Sequence, residues 1–167
     1  ASERVAGQHA MNAEYFKRIS AIDFALHHDD GQNVNGLVDA DVVLLGVSRT
    51  SKTPTCVYLA NRGVKAGNIP LVPGISPPSL VEELSEPMVV GLKIGAERLL
   101  QIRSQRLMAL NESNQTDYTD EEAVRAEITE ANRLFQRNKW PVIDVSRRSV
   151  EETAAAILNK LNERRGL

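Results

Sequence analysis

Apolar residues along this chain fall in short unbroken blocks, and between the blocks they recur every three or four positions. The firmest block covers 41–45, four consecutive β-branched or Leu residues with Gly46 behind them. Such a run predicts a strand buried on both faces, as in a parallel sheet. Similar blocks predict strands at 68–72, at 88–92 ("MVVGL") and at 141–145 ("PVIDV"). Residues 52–62 suit a helix, with Thr53 and Pro54 in the first turn, where Pro costs little, and Gly63 at the stop. A helical turn or two is expected at 81–84. Helices are predicted over 96–110, with Leu99, Ile102, Arg103, Arg106 and Leu110 near one face, and over 119–137, with Val124, Ile128, Ala131 and Phe135 in phase. Ser149 followed three residues later by Glu152 is a capping box. It opens a helix whose buried stripe is Val150, Ala154, Ile157, Leu158 and Leu161. The polar run "NESNQTD" at 111–117 reads as a mobile loop. Residues 12–36 fit a helix followed by a strand, or one helix ending at Gly31.

Strands alternating with helices predict right-handed βαβ units and an α/β fold, a mostly parallel sheet with helices on both faces. With 167 residues and 42% hydrophobic content the chain can bury one sizeable core. Residues 1–36 are expected to pack on that core as an N-terminal segment, and 37–167 to form the main domain. A formal net charge of -2 argues against nonspecific nucleic-acid binding. Cys56, the single cysteine, cannot form an internal disulfide and fits a cytoplasmic protein. No apolar stretch approaches the roughly 20 residues that span a bilayer, so no membrane partner is expected. The start, "ASERVAGQHAMN", lacks an initiator Met and the layout of a secretory signal, as a processed or truncated chain would.

The chemistry concentrates where the first strand meets the first helix after it. "GVSRTSKT", Gly46 to Thr53, has the frame of a phosphate-cradling loop: Gly46, Val47, Ser48, Arg49, Thr50, Ser51, Lys52, Thr53. A phosphate after a buried strand meets the N–H groups of the turn and the positive end of the next helix. In a P-loop the Lys reaches the outer phosphates and the Thr hydroxyl meets Mg²⁺. Lys52 and Thr53 hold those places. Ser51 stands where the usual pattern has a second Gly, and Arg49 brings a guanidinium able to pair with a second anion. A plain βα turn with a helix cap has the same polar character.

From Ala40 to Pro73 the sequence "ADVVLLGVSRTSKTPTCVYLANRGVKAGNIPLVP" resembles the signature region of the bifunctional kinase/phosphorylase regulators of pyruvate, phosphate dikinase and of phosphoenolpyruvate synthase. That family tolerates Ser at the position of Ser51. The similarity continues through "HHDDG" (from His27), "VVGLKI", "RLLQIRSQRL" and "PVIDVSRRSVEETAAAIL", so it covers nearly the whole chain. Family members carry a further N-terminal portion, so the resemblance is to their C-terminal nucleotide-binding part, a P-loop kinase-like domain.

The resemblance implies ADP-dependent phosphorylation of a Thr near the catalytic His of the dikinase. It implies reversal with inorganic phosphate, releasing pyrophosphate, Mg²⁺ as helper, and a homodimer. The synthase is the alternative target. Gly46 to Thr53 would then cradle phosphate, Lys52 act as the mobile cation and Thr53 as a metal ligand. Asp30, then Asp29, with His28 as the alternative, would be the general base, although Asp-Asp-Gly is equally a tight-turn sequence. Arg103 and Arg106 would serve as lid arginines hinged on 111–117, or as a solvated helix flank. Asp144 would hold Mg²⁺ through water, or simply bond the next turn. Arg147 and Arg148 would flank the adenine, and Lys65 and Asn68 would face the target protein. Trp140, Met88 and Cys56 read as packing. Two other readings fit the same motifs: a small-molecule P-loop kinase, and a nucleotide-sensing interaction module without turnover.

Overall fold

A computed structural model describes residues 2–110 and 118–167, with side chains from residue 12 onward within them. Four strands, β1 (Val42–Val47), β2 (Ala66–Leu71), β3 (Met88–Lys93) and β4 (Val142–Asp144), form one sheet in the order β2-β1-β3-β4. Every pairing is parallel. The expected α/β architecture is therefore present. Six α-helices surround the sheet among the described residues: α1 (Ser2–His27), α2 (Lys52–Asn61), α3 (Leu80–Glu83), α4 (Ala96–Ala109), α5 (Glu121–Asn138) and α6 (Val150–Arg164).

Strand alternation divides the core in two. Val43, Leu45 and Val47 of β1 point to one face, where Leu99 of α4 and Val124, Leu134 and Phe135 of α5 cover them. Val42 and Leu44 point to the other, under Cys56 and Leu59 of α2 and Ile157 and Leu161 of α6. All six residues of β1 are buried, which explains its unbroken apolar run. Gly91 of β3 leaves room for the Phe135 ring, which a Cβ there would meet at 2.6 Å.

Residues 12–27 are one helix and no strand follows within 28–36, so the helix-then-strand alternative is set aside, while the helix ends at His27 rather than at Gly31. Ala21 and Ala25 of α1 pack on Ala60 of α2, small residues that let the two helices approach closely. After His27 the chain makes a tight turn and a 3₁₀ helix, Val34–Asp39, before entering β1. The capping box at Ser149 forms as expected, with Glu152 N–H donating to Ser149 Oγ at 3.1 Å. Cys56 and Met88 are buried in the core and Trp140 packs against it. Residues 111–117, expected as a mobile loop and lid hinge, lie outside the described residues. No helix among the described residues is long and apolar enough to cross a membrane.

Candidate functional site

The loop after β1 leaves the sheet at the strand's C-terminal end, where β2 lies on one side and β3 on the other. In parallel sheets this switch point is where ligand crevices open. The loop is held in an uncommon backbone state: φ is 74° at Arg49 and 61° at Ser51. Ser51 thus occupies the left-handed conformation that a Gly would accept freely, the physical reason for the usual Gly there. Its hydroxyl makes no capping hydrogen bond to α2.

Lys52 folds back across the loop. Its Nζ donates to the Val47 carbonyl at 2.8 Å and to Thr50 Oγ1 at 3.3 Å, and the side chain is buried. Burial drives its pKa down from 10.5 to about 8, against the pull of Asp30, which raises it. Arg103 and Arg49 add to the lowering. Thr50 Oγ1 in turn donates to the Val47 carbonyl at 2.9 Å. Ser48, Arg49, Ser51, Lys52 and Thr53 line a cleft of about 270 Å³ together with Ile102 of α4. The loop therefore offers an ammonium, a guanidinium and the N-terminus of α2 around one small polar cleft, a setting suited to an anion.

The acidic turn reaches this loop through β2. The Asn68 N–H donates to the His28 carbonyl and the Gly31 N–H to the Asn68 carbonyl, both at 3.0 Å. The Asn68 side-chain amide donates to Asp29 Oδ1 at 2.7 Å, while its carbonyl oxygen accepts from the Asp30 N–H at 3.1 Å. Asp29 Oδ1 also accepts from the Thr53 hydroxyl at 2.7 Å. Asp29 and Thr53 are thus joined, and Asp30 acts on Lys52 through its charge. Asn68 is 1% exposed, so it clamps the acidic turn rather than facing a target protein as expected. Its signal in the sequence was a lone amide inside the apolar strand "AGNIPL".

The other residues singled out above are placed elsewhere. His28 stacks on Phe24 with ring centroids 3.8 Å apart, donates from Nδ1 to the Phe24 carbonyl at 2.8 Å, and lies over Gly36. It lines the cleft of Lys65 and is not among the residues lining the loop's cleft. Lys65 lines a separate cleft beside Phe24 and His27. Arg103 does meet the loop, but from beneath: it is buried, paired with Glu127, and donates to the Ser48 carbonyl at 3.2 Å. Arg106 on the same helix is exposed. Asp144, Arg147 and Arg148 line a larger open cleft of about 1150 Å³ between the starts of α4 and α6, with Arg98 and Arg125. There the Ser146 side chain and N–H hold the Asp144 carboxyl below its usual range, with Lys93 and Arg148 adding to the effect. Asp144 and Thr53 line different clefts. Glu127 and Tyr118, which complete the surroundings of Arg103, carried no motif by which the sequence would reveal them.

The family described as Kinase/pyrophosphorylase matches residues 1–158. A protein of Hyphomonas neptunium is 69% identical over 167 residues, covering 99% of this chain and 60% of the relative. Relatives from Caulobacter vibrioides and Bradyrhizobium diazoefficiens are 58% and 54% identical, covering 99% and 96% of this chain and 52% and 58% of their own lengths. All three are named, provisionally, pyruvate, phosphate dikinase regulatory protein. The chain spans little more than half the length of these curated relatives. The match over residues 1–158, nearly the whole chain, places it in the kinase/pyrophosphorylase family.

Proposed function

We propose that this chain is the nucleotide- and phosphate-handling part of a regulator of pyruvate, phosphate dikinase. In one direction a target Thr attacks the β-phosphorus of ADP, AMP leaves, and the dikinase is silenced. In the other, inorganic phosphate attacks the phosphothreonine and pyrophosphate leaves, restoring the hydroxyl. The same chemistry on phosphoenolpyruvate synthase is the alternative. The observation that carries the reading is the clamp of Asn68 on the acidic turn, which sets Asp29 against Thr53 and Asp30 within the field of Lys52.

Phosphoryl transfer needs mainly positioning and charge neutralisation. The loop from Gly46 to Thr53 supplies N–H groups for the transferred phosphate or Pi, and Lys52 supplies the positive charge. Asp30, exposed at the turn, takes the Thr proton in the forward direction and returns it in reverse. Thr53 Oγ1 and Asp29 Oδ1 are adjacent hard oxygen donors of the kind Mg²⁺ accepts alongside water and phosphate oxygens. These two would hold the ion, with water and the phosphate oxygens completing its shell. Bound there, Mg²⁺ would neutralise phosphate charge. Arg147 and Arg148, in the neighbouring cleft, would flank the adenine.

Calorimetric titration with ADP, ATP and Pi in Mg²⁺, with Lys52→Ala beside the wild type, tests the reading when paired with a transfer assay on phosphohistidine dikinase. ADP bound above ATP, lost in the variant, with label moving to Thr, is expected. Preference for ATP would move the chain to the metabolite kinases. Binding without transfer would leave a nucleotide-sensing module.

A further inference from the structure

Beneath the phosphate loop lies an ion pair. Arg103 of α4 and Glu127 of α5 are 1% and 9% exposed and meet as two forks, Nη1 donating to Oε1 at 3.0 Å and Nη2 to Oε2 at 2.6 Å. Desolvation makes such a pair a weak source of stability, since an apolar pair of similar volume often does as well. The remaining contacts show what else it does. Nη2 also donates to the Ser48 carbonyl at 3.2 Å, and Nη1 to the Tyr118 carbonyl at 3.2 Å. The guanidinium lies 4.5 Å from the centre of the Tyr118 ring, whose hydroxyl is 3.3 Å from Ser48 Oγ. The pair of helices therefore grips the loop at Ser48, immediately before the positive φ of Arg49.

We propose that Arg103, held by Glu127, is a positioning residue for anion binding: by anchoring the Ser48 carbonyl it fixes the Ser48–Arg49 peptide with its N–H turned toward the anion cleft. The inference rests on reading the loop as an anion site. In a planar trans peptide the C=O and N–H point in opposite directions. A carbonyl drawn toward Arg103 therefore sends the Arg49 N–H away from it. A flipped peptide would instead present a carbonyl oxygen to the phosphate. The left-handed backbone at Arg49 and Ser51 raises the energy of the loop, so it persists only where its surroundings over-determine it. Lys cannot replace Arg here, because one ammonium cannot match the Glu127 fork and reach Ser48 in the same geometry.

The full chain carrying Arg103→Lys or Glu127→Gln is compared with wild type and with Lys52→Ala. Three quantities are read: affinity for Pi and ADP by calorimetry, melting temperature, and amide hydrogen exchange across 46–53. Arg103→Lys should bind both ligands about 10-fold more weakly, the scale of one charge-assisted hydrogen bond. Its loop amides should exchange faster while those of α6 keep their protection. Glu127→Gln should move affinity and loop exchange the same way, and it carries the comparison if Arg103→Lys does not fold. A lower melting temperature with unchanged affinity and unchanged loop exchange would overturn the proposal and leave the pair a support of the fold. Should wild type bind neither Pi nor ADP, the anion reading itself fails. Loop exchange then decides alone: faster exchange in Arg103→Lys upholds the anchoring, and unchanged exchange overturns it.

Discussion

Replacing Lys52 with Met would separate what this side chain does for stability from what it does for ligands. Its pKa falls from 10.5 in the unfolded chain to about 8 in the fold. That difference, about 2.5 pH units, corresponds to roughly 3 kcal/mol by which folding disfavours the charged ammonium. The sign follows from proton counts. Between pH 8 and 10.5 the unfolded chain holds this proton more firmly than the folded one, so Lys52's contribution to stability rises with pH across that window. Below pH 8 the full penalty applies. Met removes it and leaves no acceptor stranded, because the Val47 carbonyl keeps its hydrogen bond from Thr50. Lys52→Met should therefore be more stable than wild type by about 1–3 kcal/mol near neutrality, and the gap should close toward pH 10. Urea denaturation of both proteins at several pH values reads the effect as a difference. Cys56, whose thiol burial pushes up to about 12, loses stability above pH 9 in both proteins and largely cancels. A gap that stayed constant from about pH 7 to pH 10 would refute the claim that Lys52 is held desolvated. Phosphate binding should be lost in the same variant.

Three further outcomes are expected. Ser51→Gly should raise stability by about 0.5–1 kcal/mol in thermal melts, since the left-handed strain is relieved and no cap bond is lost, less the added freedom of Gly in the unfolded chain. Gly91→Ala should cost roughly 1–3 kcal/mol in chemical denaturation, because its Cβ would press on the Phe135 ring in a close-packed layer. Asn68→Ala should cost about 2 kcal/mol, two partly buried hydrogen bonds, and should weaken binding of Pi and ADP as Asp29 comes loose; unchanged affinity would remove the acidic turn from the site.

The fold was legible because its signals are local. The run before Gly46, the Pro in the first turn of α2 and the Ser149 capping box each specify their own element with little help from elsewhere. Boundaries set by partners were less so. β2 begins at Ala66, two residues earlier than its apolar pattern, because its register pairs Ala66 with Val42. Residues 12–36 were ambiguous since the small residues Ala21 and Ala25 gain their meaning only from Ala60. At the site, spacing located the loop but not the role of Arg103. A helical period tells which residues share a face, not whether that face meets solvent or a neighbouring helix. Its partner Glu127 lies 24 residues along the chain. Asn68 was hidden for a similar reason, as its partner Asp29 is 39 residues away.

The acidic turn also changes what the sheet can join. β2 is an edge strand, and edges with free N–H and C=O groups invite pairing with another chain. Here the outward N–H and C=O of Asn68 are both taken by His28 and Gly31. Two residues on, Pro70 has no N–H to offer, as suits an edge. A second copy or a foreign peptide could add a strand at this edge only by prying off the turn that carries Asp29 and Asp30. Edge-to-edge growth of the sheet and an assembled site are thereby mutually exclusive on this side of the molecule.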